Sequence, residues 1–236
     1  MTLDSGLLDL LDLQDVDLAI DRLLHQRQTL PVLAEYQATG GVRDGVAARL
    51  AEQHEALRLS ELDLDKAEGE LEILEAKLKE SETRLFAGGM SGRETEQKRL
   101  EVQSLRGQQA TMESRVLGLI EIVDPMREES NLLEGELARH NEKLAGHEAE
   151  IAAAWAEIDA QIARREETKA ELAKPISADL MILYEQLRRS KQGVAVGRLT
   201  AGVCGGCHLS LSLPEQAEAA DWDPPRCIHC MRILVL

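Results

Sequence analysis

The sequence predicts a mainly α protein, a long antiparallel coiled-coil helical hairpin followed by a small C-terminal β-rich module. Three observations point there. Leucine returns every seventh residue at Leu50, Leu57, Leu64, Leu71, Leu78 and Leu85, the spacing of a coiled-coil seam. Charged residues make up 30% of the chain while aromatic ones make up 2%, a composition suited to long helices with a thin core. All four cysteines fall in the last 33 residues, so the chain divides into a helical part, residues 1–174, and a compact end, residues 175–236.

The first element is an N-terminal helix with the stripe Leu13, Val16, Ile20, Leu23 and Leu30. Pro31 and the Gly40-Gly41 pair predict a break near residues 31–44. The first arm follows, with the leucine seam and a mixed partner series four residues earlier: Val46, Gln53, Ser60, Ala67, Leu74 and Ser81. Phe86-Ala87-Gly88-Gly89-Met90-Ser91-Gly92 then reverses the chain, so the tip lies near residues 86–92. Two adjacent glycines permit the turn, and Ser91 with Glu94 forms an S-x-x-E capping box that opens the second arm. That arm carries pairs three apart, from Val102/Leu105 through Val116/Leu119 and Leu137/His140 to Ile158/Gln161. Arms of this length fold back on one another as a rod, kinked at Pro125. His140 and His147 are polar breaks in the seam that help set its register.

Pro175 ends the second arm, and Ser177 caps a short helix over residues 178–190 with Leu180, Leu183, Tyr184 and Leu187 on one face. Val194-Ala195-Val196 and Ile233-Leu234-Val235 have strand composition. Between them stand Cys204-Gly205-Gly206-Cys207 and Cys227-Ile228-His229-Cys230. Two C-x2-C elements at this spacing read as a four-cysteine zinc site. Each pair of intervening residues lets the backbone curl its amides towards the thiolates, and two such knuckles close a tetrahedron around one Zn²⁺. Four thiolates leave no open coordination position, so the zinc is structural and folds a ribbon too small to fold alone. An iron–sulfur cluster also takes four thiolates, and a reduced inert pair or a redox pair fits less well. His208 and His229 adjoin the knuckles as surface or supporting groups.

The formal net charge is −16, from 27 basic and 43 acidic residues. Residues 1–174 hold 21 bases and 37 acids, whereas residues 175–236 hold six of each. Such a balance excludes coating of nucleic acid by charge alone. No apolar run approaches the ~18 residues that cross a bilayer, and the opening MTLDSGLLDLLDLQD is acidic where a secretion signal is basic. The expected location is cytoplasmic. Arg188, Arg189, Lys191 and Arg198 form a basic cluster that could position RNA or complement the dipole of helix 178–190. The tip exposes Phe86, Met90, Arg93 and Glu94 as a candidate docking knob. No phosphate-binding glycine loop, G-x-S-x-G or H-E-x-x-H motif is present, and the carboxylates sit on solvated helix faces.

LLDLQDVDLAIDRL at the start, LF-x-G and RETEQ at the tip, LYEQLRR, GVAVGRL and GVCGGCHLSL beyond the arms, and the closing CIHCMRIL together resemble the bacterial C4-type zinc ribbon family, formerly a domain of unknown function. The resemblance spans nearly the whole chain. It implies an elongated helical hairpin with a zinc ribbon, and Cys204, Cys207, Cys227 and Cys230 as ligands. Some members of that family are known as adaptors or chaperones that bind an alternative sigma factor, flagellar or secretion components and, in one case, messenger RNA, while many have no assigned role. The resulting expectation is a non-enzymatic adaptor, monomeric or dimeric, that binds protein partners through the hairpin tip and the ribbon, with no membrane and no small-molecule substrate. The alternative is an RNA- or nucleic-acid-binding regulator of transcription or translation, acting through the ribbon and the Arg/Lys cluster.

Overall fold

The computed structural model describes residues 3–236. In chain order its elements are α1 (Leu3–Gln28), α2 (Pro31–Phe86), α3 (Gly92–Ala173), α4 (Ala178–Ser190), β1 (Val196–Thr200), β2 (Val203–Cys204), α5 (Leu213–Ala220) and β3 (Ile233–Val235). Among the described residues, no helix is long and apolar enough to cross a membrane. The described chain forms two compact units: Glu35–Gly146 is one, and the described residues to Ala34 together with His147–Leu236 are the other.

The unit Glu35–Gly146 is the hairpin. Its seam buries Val46 and Leu50 with Leu133, then Leu64 and Ala67 with Val116 and Val123, and nearer the tip Leu78 with Val102 and Leu105. Each buried leucine contributes about 1.5–3 kcal/mol. Cross-helix pairs run along the flanks: Arg106 to Glu82 at 2.7 Å, Arg115 to Glu70 at 3.3 Å and Arg127 to Glu61 at 2.8 Å. Exposed pairs of this kind are worth about 0–1 kcal/mol each, so the apolar seam holds the helices together and the charges help select the register. Two polar seam positions are buried as well: the Ser81 hydroxyl donates to Glu101 at 3.1 Å, whereas the Ser130 hydroxyl has no partner among the described residues. At the turn, Gly88 and Gly89 take φ of 76° and 83°, a region that costs side-chain-bearing residues energy. The capping box forms as expected, with the Ser91 N–H donating to Glu94 Oε2 at 2.8 Å.

The first helical break differs from the expected one. It falls at Thr29–Leu30, and Gly40 and Gly41 lie inside α2. Pro31 occupies the first turn of α2, where its missing N–H is no loss, and two glycines at about 1 kcal/mol each do not interrupt a helix of 56 residues held by a seam. Pro125 likewise sits inside α3 without ending it. Beside it, Gln53 Nε2 donates to the carbonyl of Met126 at 3.2 Å.

In the other unit, α1 packs on the sheet and on α4. Leu7, Leu10 and Leu13 share one core with Ile176, Tyr184, Leu187, Val196 and Ile233. The sheet order is β2-β1-β3, with β1 antiparallel to β2 and parallel to β3. Gln14 docks this sheet on α1: its Oε1 accepts from the N–H groups of Ala195 (2.6 Å) and Val196 (2.7 Å), and its Nε2 donates to the Val196 carbonyl at 3.0 Å. One turn on, Asp17 is fully buried. It accepts from the Tyr184 hydroxyl at 2.6 Å and pairs with Lys169 at 2.8 Å. Trp155 Nε1 donates to the Arg27 carbonyl at 3.2 Å and so caps the end of α1.

Candidate metal centre

The two cysteine elements fold into matching loops. In the first, the Cys204 N–H donates to the Leu209 carbonyl (3.0 Å) and the His208 N–H returns to the Cys204 carbonyl (2.8 Å). In the second, the Cys227 N–H donates to the Arg232 carbonyl (2.9 Å) and the Met231 N–H returns to the Cys227 carbonyl (2.8 Å). His208 and Met231 occupy the same place in the two loops, and both have φ of 62°. Histidine is among the residues enriched at such left-handed positions, whereas methionine is not, so only the first of the two is hinted at by residue type. Gly197 of β1 lies under the first loop, where a Cβ would meet the Gly206 amide nitrogen at 2.6 Å. The bare backbone lets strand and knuckle touch.

These loops bring the four sulfurs together. Among the described residues, Cys204, Cys207, Cys227 and Cys230 are the only metal-ligand cluster, with all sulfurs within 4.8 Å of one another. Cys207 and Cys227 stand 3.8 Å apart. A tetrahedron with metal–sulfur bonds of about 2.3 Å has edges of about 3.8 Å, whereas a disulfide needs about 2.05 Å. Cys204 and Cys227 are fully buried, with Leu211, Ala219 and Leu234 around them. Burial pushes the Cys227 thiol up to about 12 and raises that of Cys204, against the amides that point at each sulfur. Burial acts the same way on Cys230, but the Arg232 amide and the neighbouring sulfurs outweigh it and lower that thiol. Two buried thiolates need a cation, and a divalent ion bound by four sulfurs supplies it. The residues therefore fit a metal with four thiolate ligands.

The remaining candidate residues are not members of this cluster. His229 approaches Glu215 at 4.0 Å, and His208 is exposed. The Glu215 carboxylate caps α5 through the Ser212 N–H at 2.7 Å. Helix α5 is not among the elements expected from the sequence; its signal is the S-x-x-E pattern Ser212-Leu213-Pro214-Glu215 with proline in the first turn. Trp222 is half exposed, with the Arg226 guanidinium 5.8 Å from its ring centre. Arg188 pairs with Asp21 at 2.8 Å and lies 3.5 Å from Asp17. Arg189 and Arg198 are exposed, and Lys191 is half-buried. At the tip, Phe86 is 80% exposed and Met90 half-buried. Arg93 is exposed, and the Glu94 carboxyl is held below its usual range by the Ser91 N–H and hydroxyl.

The sequence pattern of the CT398-like coiled coil hairpin domain matches residues 13–192. The chain belongs to the CT398-like coiled coil hairpin family. An uncharacterised protein of Mycobacterium tuberculosis is 26% identical over 233 residues, covering 96% of this chain and 93% of the relative. A Mycobacterium smegmatis structure superposes with a TM-score of 0.83 at 22% identity, over 98% of this chain and 97% of that one. CT398 from Chlamydia trachomatis superposes with a TM-score of 0.68 at 18% identity, over 98% and 97% of the two chains. At these identities the likeness speaks to fold. The CT398-like match ends before Cys204, so the metal centre rests on the thiol geometry.

Proposed function

We propose that this CT398-like protein is a non-enzymatic cytoplasmic adaptor that binds protein partners through the hairpin tip and the ribbon, with one structural Zn²⁺ on Cys204, Cys207, Cys227 and Cys230. The observation that carries the adaptor reading is Phe86. In a chain with five aromatic residues, one of them stands 80% exposed at a turn that has its own capping box and two glycines. A large ring at such a turn can anchor a partner surface, as aromatic residues do at interface hot spots. The thiol set supports the absence of catalysis, since four sulfurs fill a tetrahedral shell and leave no place for water or substrate. The zinc ion supplies the positive charge that holds four thiolates together and thereby folds the ribbon.

The alternative, RNA binding through Arg188, Arg189, Lys191 and Arg198, draws less support. Arg188 is committed to Asp21 and Asp17, which leaves a smaller basic surface for phosphates. In-cell crosslinking and affinity purification from the native host test both readings with wild type, Phe86→Ala and Cys204→Ser in parallel. The expected result is one equivalent of zinc in wild type and none in Cys204→Ser, with distinct proteins lost from each variant. Recovery of the same background from all three overturns the adaptor. Nuclease-sensitive recovery that Arg189→Glu with Arg198→Glu abolishes favours the RNA reading, and iron in place of zinc corrects the metal.

A further inference from the structure

The tip is a basic island in an acidic hairpin. Residues 77–106 carry seven basic groups (Lys77, Lys79, Arg84, Arg93, Lys98, Arg99, Arg106) and five acidic ones (Glu80, Glu82, Glu94, Glu96, Glu101), a net of +2. The flanking hairpin segments, 35–76 and 107–146, hold eight basic and 19 acidic groups, a net of −11. Among the described residues, the side chains of Lys79, Arg84 and Arg93 have no ion-pair or hydrogen-bond partner. Arg99 pairs with Glu96 at 2.9 Å and Arg106 with the half-buried Glu82 at 2.7 Å, both arginines being exposed. Such pairs exchange partners at little cost.

A cleft lies among these charges. It has about 350 Å³ and is lined by Leu85, Phe86, Val102, Gln103, Arg99 and Arg106. Three apolar side chains form one part of it, and two guanidinium groups and an amide form the rest. The volume is at the small end of ligand pockets and suits one or two peptide side chains. From the charge and the cleft together we infer that the tip docks an acidic peptide segment of a partner protein, one large apolar side chain entering beside Phe86 while carboxylates meet Arg99 and Arg106. This inference rests on the adaptor reading and names the chemistry of one partner.

A peptide matches this surface better than a nucleic acid or a second copy. A phosphate chain longer than the tip would run onto flanks of net −11, within reach of unscreened repulsion at a Debye length of about 8 Å. A short acidic peptide places its charges over a few residues only. A second copy could offer its acidic arm, but would bring two acidic hairpins together against their mutual repulsion.

The test selects random 16-residue peptides displayed on phage against the full-length, zinc-loaded protein, with Phe86→Ala as counter-selection, and measures the winners by fluorescence anisotropy. The expected winners are net acidic and carry at least one large apolar residue. They bind about tenfold or more weakly to Phe86→Ala, lose affinity to Arg99→Glu with Arg106→Glu, and weaken as salt rises. These positions are exposed, and retained helical circular dichroism shows that each variant folds. Neutral or basic winners, no enrichment, or equal binding to the tip variants overturns the inference. So does tighter tip-dependent binding of a random single-stranded RNA pool, or loss of peptide binding through self-association in sedimentation. If the inference fails while crosslinking from the host still captures proteins that depend on Cys204, the adaptor reading stands and only the tip assignment falls.

Discussion

Gln14 is a polar side chain on the buried face of α1, 6% exposed, and all its hydrogen bonds go to residues more than 180 positions away. Replacing it with leucine leaves two buried N–H groups and one carbonyl without partners, at about 1–3 kcal/mol for each uncompensated group. We expect Gln14→Leu to cost about 3 kcal/mol in denaturant unfolding, with faster amide exchange at Ala195 and Val196. Tyr184 makes a pH prediction. Burial first, and then its hydrogen bond to Asp17, raise its pKa well above 10. In the unfolded chain the phenol ionises near 10. The contribution of neutral Tyr184 is therefore complete below pH ~10 and is lost as pH rises beyond it, because the unfolded state sheds a proton that the native state keeps. Tyr184→Phe is expected to lose about 1 kcal/mol at pH 7 and to show a shallower fall in stability above pH ~10, read from unfolding curves across pH 8–11. Neither role is visible in sequence. A glutamine between Leu13 and Asp15 carries no mark of a partner near residue 195, and Tyr184 reads there as plain core.

At the scale of elements, glycines of opposite kinds give opposite signs. Gly88 sits at φ 76° in the turn, whereas Gly40 lies in α2 with nothing within 4 Å of a Cβ. Gly88→Ala is expected to destabilise by about 1 kcal/mol, and Gly40→Ala to stabilise by about 0.5–1 kcal/mol, both by thermal or denaturant unfolding. The ribbon gives a metal prediction. Chelation of a metal held by the four cysteines is expected to make all four thiols reactive and to shift the Trp222 fluorescence, with far-ultraviolet helical signal almost unchanged, since the hairpin does not depend on the sulfurs. A collapse of the helical signal on chelation would contradict this separation. The hairpin was legible because its signal is local and repeated: heptad phase, capping box and turn glycines lie within a few residues of each other. The place of the first break was not, because Pro31 and Gly40-Gly41 both signal interruption by composition, and only the folded backbone, with Pro31 in the first turn of α2 and both glycines inside it, decides between them.

Over the whole molecule, a net charge of −16 makes self-repulsion outweigh the exposed cross-helix pairs, each worth about 0–1 kcal/mol. Raising NaCl from about 0.02 M to about 0.3 M is therefore expected to raise Tm; a fall would show that the pairs outweigh the repulsion. The same scale separates what each level of description decided. Helical periods, the hairpin turn and the grouping of the four cysteines were determined by the sequence alone, because a heptad, a cap and a C-x2-C knuckle are read from neighbours in the chain. Tertiary structure decided that β3 lies parallel to β1, that Gln14 holds that sheet, and that the half-buried Lys169 and Arg188 gather around buried Asp17 and Tyr184. It also decided which charges of the tip remain without partners. Those partners stand far apart in sequence, and nothing selects one distant residue over another until packing brings both faces together and burial makes each unpaired polar group costly.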